Sequence, residues 1–219
     1  GHPLIAYSIK HAKEFSNLYE TDITLSTDSL EIKKVAESYG IYTEYVRPNE
    51  LASDAAGKIE TILHVLEYEE KVRNKKYDFV FDLDISSPLR CLEDLKVAFL
   101  QILSSKDAFN IFSVNKANRN PYFNMVEQQP NGYFSLVKKG NFLTRQSAPI
   151  VYELNASFYI FRRSFFDNKH ESTISEKSLI YDMPHICFDL DHKVDFDFME
   201  FLISTNNLDF VIWLSSSLV

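Results

Sequence analysis

Apolar and polar positions recur along the chain with two periods, one typical of helices and one typical of strands. In the helical segments apolar residues return every three or four positions, as in Ile59, Ile62, Leu63 and Leu66. Short apolar runs between these segments have the length and composition of buried strands. The pattern predicts helices over 3–12, 28–40, 59–66, 92–102 and 195–203, and strands over 22–27, 41–46, 77–84, 108–114, 155–163 and 185–191.

Helix and strand alternate through the first half, which is typical of βαβ units with right-handed crossovers and a parallel sheet covered on both faces. Near Asn118 the pattern changes, and two short segments around the turn Pro130-Asn131-Gly132 predict a β-hairpin. We therefore expect an α/β fold of the Rossmann-like type, with a doubly wound, mostly parallel sheet. Its predicted parts are a core over 1–117, a hairpin arm over 118–156 and a return to the core over 157–219.

Length, charge and cysteine usage narrow the class of protein. The chain of 219 residues is long enough for one large domain, and its net charge of −8 argues against general nucleic-acid binding. No apolar run approaches the roughly 20 residues of a membrane helix, and the first residues lack a signal-peptide pattern. Cys91 and Cys187 lie far apart in apolar company, which indicates free thiols in a reducing compartment. We expect a cytoplasmic protein with no membrane or nucleic-acid partner.

Polar residues follow several predicted strands at their carboxyl ends, where open α/β sheets bind ligands. In the stretch RPNELASDAAGKIETIL, which starts at Arg47, a polar run leads directly into a helix. Helix N-termini attract anions, so this run is either a capped loop or the wall of a ligand site, and alone it favours the loop. The other polar segments are 26–29, 82–90 and 189–191. The simpler interpretation of 26–29 is a helix cap. That of 82–90 is a strand-to-helix turn, which accounts for Pro88 but not for Asp84 and Arg90.

Asp189 and Asp191 are the most informative pair. They stand two apart in the predicted strand 185–191, so both carboxylates should point to the same face. Two like charges side by side repel unless a cation lies between them, and Mg²⁺ prefers carboxylate, water and phosphate oxygens. The alternative is a solvated strand end, with Asp195 starting the next helix.

Two further residues are weaker candidates for contact with a ligand. Arg145 stands in a polar loop, where its guanidinium could hold a carboxylate or phosphate through two hydrogen bonds, although a lone loop arginine is more often merely exposed. Tyr159 belongs to a predicted buried strand and is more often a core residue than a ligand contact.

Taken together and in order, these segments resemble the acylneuraminate cytidylyltransferases, the CMP-sialic acid synthetases. The chain is most similar to members that activate legionaminic acid and related bacterial nonulosonic acids, and the match runs from Gly1 to about Ile203. The motifs are GHPLIAYSI, STDS with IKKVAESYGI, RPNELASDAAG, LDISSPLR, NPYFNMVE, RQSAP, NASFYIF and FDLD followed by DF and EFL.

The resemblance implies a nucleotidyltransferase fold and a transfer of CMP from CTP to an acidic nine-carbon sugar, with release of pyrophosphate. It identifies Asp189 and Asp191 with the family's catalytic Mg²⁺-binding pair, with Asp191 the stronger candidate for direct ligation. It also implies a homodimer, because the predicted hairpin resembles the family's dimerisation arm, which reaches over the neighbour's active site.

For the nucleotide, the resemblance matches Arg47 to a cytosine-contacting arginine. It places Ala55 and Ala56 where small side chains let the base approach the backbone. Ser86 and Ser87 match the strand-to-helix turn near the nucleotide.

For the sugar, the resemblance assigns the carboxylate to Arg145 and a second contact to Tyr159. Asp84 stands where the sialic acid enzymes have a glutamine, which replaces a two-way hydrogen bonder by an acceptor or an additional metal ligand. Phe123 stands where some relatives have a lysine, and Arg119 or Asn124 could take over that contact.

The chain departs from the family's pattern at the loop that binds the triphosphate. The family's loop rich in glycine, lysine and arginine, which holds the triphosphate, would precede Gly1. Either that segment lies outside this chain or the protein lacks it, and we expect the first. Two other functions stay open: a CMP-Kdo-type cytidylyltransferase that takes an eight-carbon sugar, and a non-catalytic homologue that binds nucleotide sugars.

Overall fold

The computed structural model of the protein describes residues 2–53, 56–205 and 207–208. The helices are α1 (Leu4–Ser16), α2 (Leu30–Ser38), α3 (Lys58–Arg73), α4 (Leu92–Ser104), α5 (Arg163–Asp167) and α6 (Lys193–Ser204). The strands are β1 (Phe79–Leu83), β2 (Asn110–Lys116), β3 (Val126–Gln128), β4 (Phe134–Leu136), β5 (Tyr152–Arg162) and β6 (Ser178–Asp182). Short 3₁₀ turns cover Asn49–Leu51 and Arg145–Ser147. None of the described helices is long and apolar enough to cross a membrane.

Four strands form the central sheet in the order β1-β5-β2-β6. Since β5 is antiparallel to β1 and β2, and β2 is parallel to β6, three of the four strands share one direction. On one face Phe15 of α1 and Leu95 of α4 pack against Ile160 of β5. On the other face Ile62 of α3 packs against Phe161, the next residue of β5. The predicted doubly wound α/β fold with a mostly parallel sheet is therefore confirmed.

The predicted hairpin is also present. β3 and β4 pair with each other in a separate two-stranded sheet, with Glu127 opposite Ser135. Gly132 in the connecting turn has φ = 84°, a left-handed conformation that glycine adopts without a steric cost. The division of the chain into core, arm and return stays a prediction, and β5 runs across its 156/157 boundary.

The first two predicted strands do not form. Segments 22–27 and 41–46 of the described residues belong to no helix and to no strand ladder. The backbone N–H of Arg47 bonds the carbonyl of Thr27 at 3.0 Å, and the hydroxyls of Thr24 and Thr43 lie 3.1 Å apart. The strand prediction was wrong here because an apolar pattern needs a hydrogen-bonded neighbour to become a strand.

The strand predicted over 185–191 was also wrong. The sheet instead takes in β6, which the pattern did not reveal, and its ladder with β2 ends where the Met183 N–H bonds the Val114 carbonyl at 2.9 Å. Pro184 follows and has no N–H to continue the ladder, so the chain leaves the sheet before reaching the two aspartates.

The Arg90 guanidinium is the main polar contact inside the core. Its side chain is fully buried, and its Nη1 donates to the carbonyl oxygens of Asp84 at 3.1 Å, Ser87 at 2.8 Å and Ser157 at 2.8 Å. Its Nη2 donates to the Ser8 hydroxyl at 2.5 Å. Burial lowers the pKa of Arg90 to about 10, against the opposing effect of Cys187 and nearby carboxylates, so the group stays charged at neutral pH. One side chain thus joins α1, the loop after β1, and β5.

A bulge in β5 brings Ser157 to this arginine. The register between β2 and β5 shifts between Phe112 and Val114, and Ala156 has φ = 53°. The Ser113 hydroxyl bonds the Asn155 side chain at 2.6 Å and accepts from the Phe158 N–H at 3.0 Å, which satisfies groups that the ladder leaves open.

We predict that Arg90→Met destabilises the protein by about 3–5 kcal/mol, because it leaves several buried carbonyl groups without a donor. Urea unfolding followed by circular dichroism measures the loss. The matched control Arg119→Met changes an exposed side chain and should stay within about 0.5 kcal/mol of the wild type. Equal stability of the two variants would contradict the structural role of Arg90.

Candidate active site

The loop after β1 is folded around the Asp84 side chain. Its Oδ1 accepts hydrogen bonds from the backbone N–H and the hydroxyl of Ser86, both at 2.9 Å. An aspartate that bonds the backbone two residues ahead stabilises a tight turn locally. Burial raises the pKa of Asp84, but Lys58 and the Ser86 hydrogen bonds outweigh it and hold the pKa below its usual value. Asp84 is therefore an ionised, half-buried carboxylate.

The segment that carries Asp189 and Asp191 is attached to this loop. The backbone N–H of Leu190, which stands between the two aspartates, donates to the Ser86 carbonyl at 2.9 Å. The Leu190 side chain packs against the core cluster that contains the buried Leu89. Two distant Asp-Leu-Asp sequences, 82–84 and 189–191, are thereby brought to the same end of the sheet.

Asp189 has the electrostatics of a carboxylate that lacks a counter-ion. Burial raises its pKa to about 6, Asp191 and Asp84 act in the same direction, and Lys58 acts against them. Its Oδ1 is buried and accepts no hydrogen bond from the described residues. A buried, unpaired carboxylate oxygen is costly, and a hard divalent cation with oxygen ligands would satisfy it. The residues present therefore fit the predicted metal.

Lys58 is a site residue that the sequence analysis missed. It is the first residue of α3, and its Nζ lies 2.7 Å from Asp82 Oδ2 and 3.5 Å from Asp84 Oδ2. The same Nζ lies 4.5 Å from the centre of the Tyr159 ring. The available signal was its position at the end of the polar stretch that starts at Arg47, but a lysine opening a helix is usually exposed.

Tyr159 is a core residue with one side turned to the site. It is only 5% exposed and lies opposite Asp82 in the β1–β5 ladder. Burial raises the pKa of its hydroxyl, Lys58 opposes the shift, and the Asp82 and Asp189 carboxylates add to it. Its predicted contact with a sugar stays a prediction.

The two predicted arginines lie outside the acidic group. Arg47 is half-buried, and its Nε and Nη2 donate to the hydroxyl and the carbonyl of Ser26 at 3.1 and 2.6 Å. Arg145 is exposed in its 3₁₀ turn, and its Nη2 donates to the Ala117 carbonyl at 3.3 Å, just beyond β2. The described contacts of these arginines join neither of them to Asp189 or Asp191.

The residues predicted to contact the nucleotide differ in how deeply they are buried. Ser86 is half-buried and holds Asp84, whereas the fully buried Ser87 donates its hydroxyl to the Asn155 carbonyl at 2.8 Å. Ser87 thus joins the loop after β1 to β5, and its predicted nucleotide contact stays a prediction. Ala56 is half-exposed, and Ala55 lies outside the described residues.

Asn124 is exposed and stabilises the turn before β3. Its Oδ1 accepts a hydrogen bond from the Asn120 N–H at 2.7 Å. Its other predicted role, a contact with the sugar, stays a prediction.

An open cavity of about 620 Å³ lies at the carboxyl ends of β2 and β6. Its lining includes Lys116, Asn118, Asp182 and Cys187. Cys187 of this lining stands two residues before Asp189 in the chain, and Lys116 and Asn118 flank Ala117, whose carbonyl accepts from Arg145. Its size suits a small polar ligand.

A second group of possible metal ligands has a structural explanation. Ligand atoms of Cys91, Asp94 and His185 lie within 4.8 Å of one another. Both Asp94 oxygens are already used, since Oδ2 accepts from the Cys91 N–H at 2.6 Å and contacts His185 Nε2 at 2.9 Å, and Oδ1 accepts from the Tyr181 hydroxyl at 3.0 Å. This group caps α4 and joins it to β6 and to the following loop.

The chain is similar in sequence, over most of its length, to bacterial proteins named for flagellin modification and for nonulosonic acid activation. It is 40% identical over 206 residues to the post-translational flagellin modification protein B of Campylobacter coli, covering 94% of this chain and 86% of that protein. It is 39% identical, with the same coverage, to a CMP-N,N'-diacetyllegionaminic acid synthase of Campylobacter jejuni. A pseudaminic acid cytidylyltransferase of Campylobacter jejuni is 34% identical over 109 residues, half of this chain and 46% of that protein.

Solved structures show the same fold at much lower identity. A CMP:2-keto-3-deoxy-manno-octonic acid synthetase in complex with CTP has a TM-score of 0.61 at 12% identity, covering 90% of this chain and 88% of that chain. A 4-diphosphocytidyl-2C-methyl-D-erythritol synthase from Anaerococcus prevotii has a TM-score of 0.59 at 11% identity, covering 92% and 89%. No protein-family model matches the chain.

Proposed function

The chain belongs to the family of CMP-nonulosonic acid cytidylyltransferases, and we propose that it transfers CMP from CTP to a legionaminic-type nonulosonic acid. The relatives described as legionaminic acid synthases match 94% of the chain, whereas those described as pseudaminic acid enzymes match half of it. The observation that carries the proposal is the buried, unpaired Oδ1 of Asp189 beside Asp84 and Asp191.

The reaction forms one bond to phosphorus and breaks another. The anomeric hydroxyl of the sugar attacks the α-phosphorus of CTP, its proton leaves to solvent or a base, and the bond to the pyrophosphate oxygen breaks. Asp189 and Asp191 would hold Mg²⁺, which supplies positive charge to the phosphate oxygens when bound. These residues act by positioning and by charge stabilisation.

The other residues would orient the two substrates. Arg47 contacts the cytosine, and the half-exposed Ala56 lets the base approach the backbone. Arg145 holds the sugar carboxylate through its planar, exposed guanidinium. Tyr159, Asp84 and Asn124 complete the sugar site. Ser86 supports the nucleotide through the loop that it forms with Asp84.

We also propose a cytoplasmic homodimer that associates through the β3–β4 arm. The arm exposes large apolar side chains, with Tyr133 76%, Phe134 66% and Val126 60% exposed. Such side chains are typical of surfaces that become covered in an assembly. Cys91 and Cys187 are free thiols, as expected for a reducing compartment.

CTP-dependent pyrophosphate release by the full-length protein tests the activity. We expect the highest kcat/KM with N,N'-diacetyllegionaminic acid in a panel that also contains N-acetylneuraminic, pseudaminic and Kdo acids. Turnover with Kdo alone would identify a CMP-Kdo-type enzyme instead. No turnover with any sugar, in a protein that still binds CTP, would identify a non-catalytic homologue.

We predict that Asp191→Asn lowers Mg²⁺-dependent turnover at least about a hundredfold while the circular dichroism spectrum and Tm stay unchanged, because an exposed carboxylate holds the metal but not the fold. Asp197→Asn is the matched control, since Asp197 pairs with Lys193 on the surface of α6 and should keep the wild-type rate. Wild-type turnover in Asp191→Asn would show that the metal lies elsewhere.

For the assembly, light scattering of the wild-type protein should give the mass of a dimer. Phe134→Asp places a charge on the arm and should shift the protein toward the monomer. Leu30→Asp changes a side chain on α2 that is 67% exposed and should leave the dimer intact. A monomeric wild-type protein, or equal masses for the two variants, would remove the arm from the interface.

A further inference from the structure

The ammonium of Lys58 is held in one place by three groups. Asp82 and Asp84 face it at 2.7 and 3.5 Å, and the Tyr159 ring lies below it at 4.5 Å. The side chain starts from a fixed backbone, because the next residue, Ile59, is buried in the core between α3 and the sheet. A cation over an aromatic ring gains further attraction from the ring's electrons.

The position of Lys58 in its helix is unfavourable without these partners. It opens α3, where the helix dipole favours anions over cations. Among the described residues, no side chain caps this end of the helix. The carboxylates of β1 therefore determine its position, and their charge is the reason for a cation at this point.

Lys58 contacts the oxygens that a second divalent ion would use. Asp82 belongs to β1 and Asp84 directly follows the strand, and both carboxylates face the same Lys58 ammonium. Both Oδ2 atoms meet the same Nζ, while Asp84 Oδ1 is already bonded to Ser86. Two neighbouring carboxylates of this kind attract a divalent cation unless another positive charge lies between them.

We infer that Lys58 takes the place of a second divalent ion, so that metal binds at Asp189 and Asp191 alone. The inference rests on the metal site of the proposed function. Lys58 is then a positioning residue: its ammonium balances Asp82 and Asp84 and keeps the Asp84 carboxylate out of the metal's coordination shell. The nucleotide and the sugar would meet one divalent ion and one fixed ammonium.

Counting bound Mn²⁺ tests this role without any turnover. The electron paramagnetic resonance signal of free Mn²⁺ is titrated against the full-length wild-type protein and against Lys58→Met. We expect the variant to bind about one ion per chain more than the wild type, because two adjacent carboxylates lose their counter-ion. Lys58→Arg keeps a cation at this position and should return the count to that of the wild type.

Two controls separate a metal site from a general effect of lost charge. Lys71→Met makes the same substitution on the exposed surface of α3 and should bind as many ions as the wild type. The double variant Lys58→Met/Asp84→Asn removes one of the two negative charges, leaving a neutral amide oxygen in place of a carboxylate, and should lose the additional ion. Circular dichroism verifies that each variant is folded.

The number of Mn²⁺ ions bound by Lys58→Met, compared with the number bound by the wild type, tests the inference. Equal counts for Lys58→Met and the wild type would overturn the inference, and so would a wild-type protein that already binds two ions. A wild type that binds no Mn²⁺ would contradict the proposed metal site at Asp189 and Asp191. A gain of one ion in the variant would still support the role of Lys58 in that case.

Discussion

The structure around the site depends on one buried charge. The Arg90 guanidinium lies in the core, where no carboxylate of the described residues pairs with it at short range and carbonyl and hydroxyl oxygens surround it instead. Desolvation of an isolated charge is costly, so each of these oxygens must stay where it is for the arginine to be tolerated. The loop after β1 and the bulge of β5 are therefore held in one arrangement, with Ser157 turned to Nη1.

This rigid loop determines where the acidic residues lie. Asp84 uses its backbone carbonyl for Arg90 and its carboxylate for Ser86, so a single residue connects the core to the site. Ser86 in turn holds Leu190, which sets the two aspartates beside it against the end of β1. The repulsion among these carboxylates is offset partly by Lys58, whereas the buried Oδ1 of Asp189 accepts no hydrogen bond from the described residues. The buried charge of Arg90 thus stabilises the fold, whereas the carboxylates beside Lys58 lie at the candidate site.

The sequence was a good guide wherever the signal was local. Apolar periodicity predicted α3, α4, β1, β2 and β5, because each of these elements buries one face and repeats with its own period. The turn around Gly132 predicted the hairpin for a similar reason, since its backbone conformation favours glycine. The same signal was wrong for 22–27 and 41–46, where the pattern was present but no ladder formed, and for 185–191, where Pro184 ended the ladder first.

By itself the sequence determined the α/β class and the hairpin, because periodicity and turn chemistry are properties of short segments. Only the tertiary structure decided that Asp189 lies beside Asp84, that Lys58 balances Asp82, and that Ser87 is buried. These relations join residues from different elements, and their energies depend on distance and burial. No local pattern in the chain encodes either quantity.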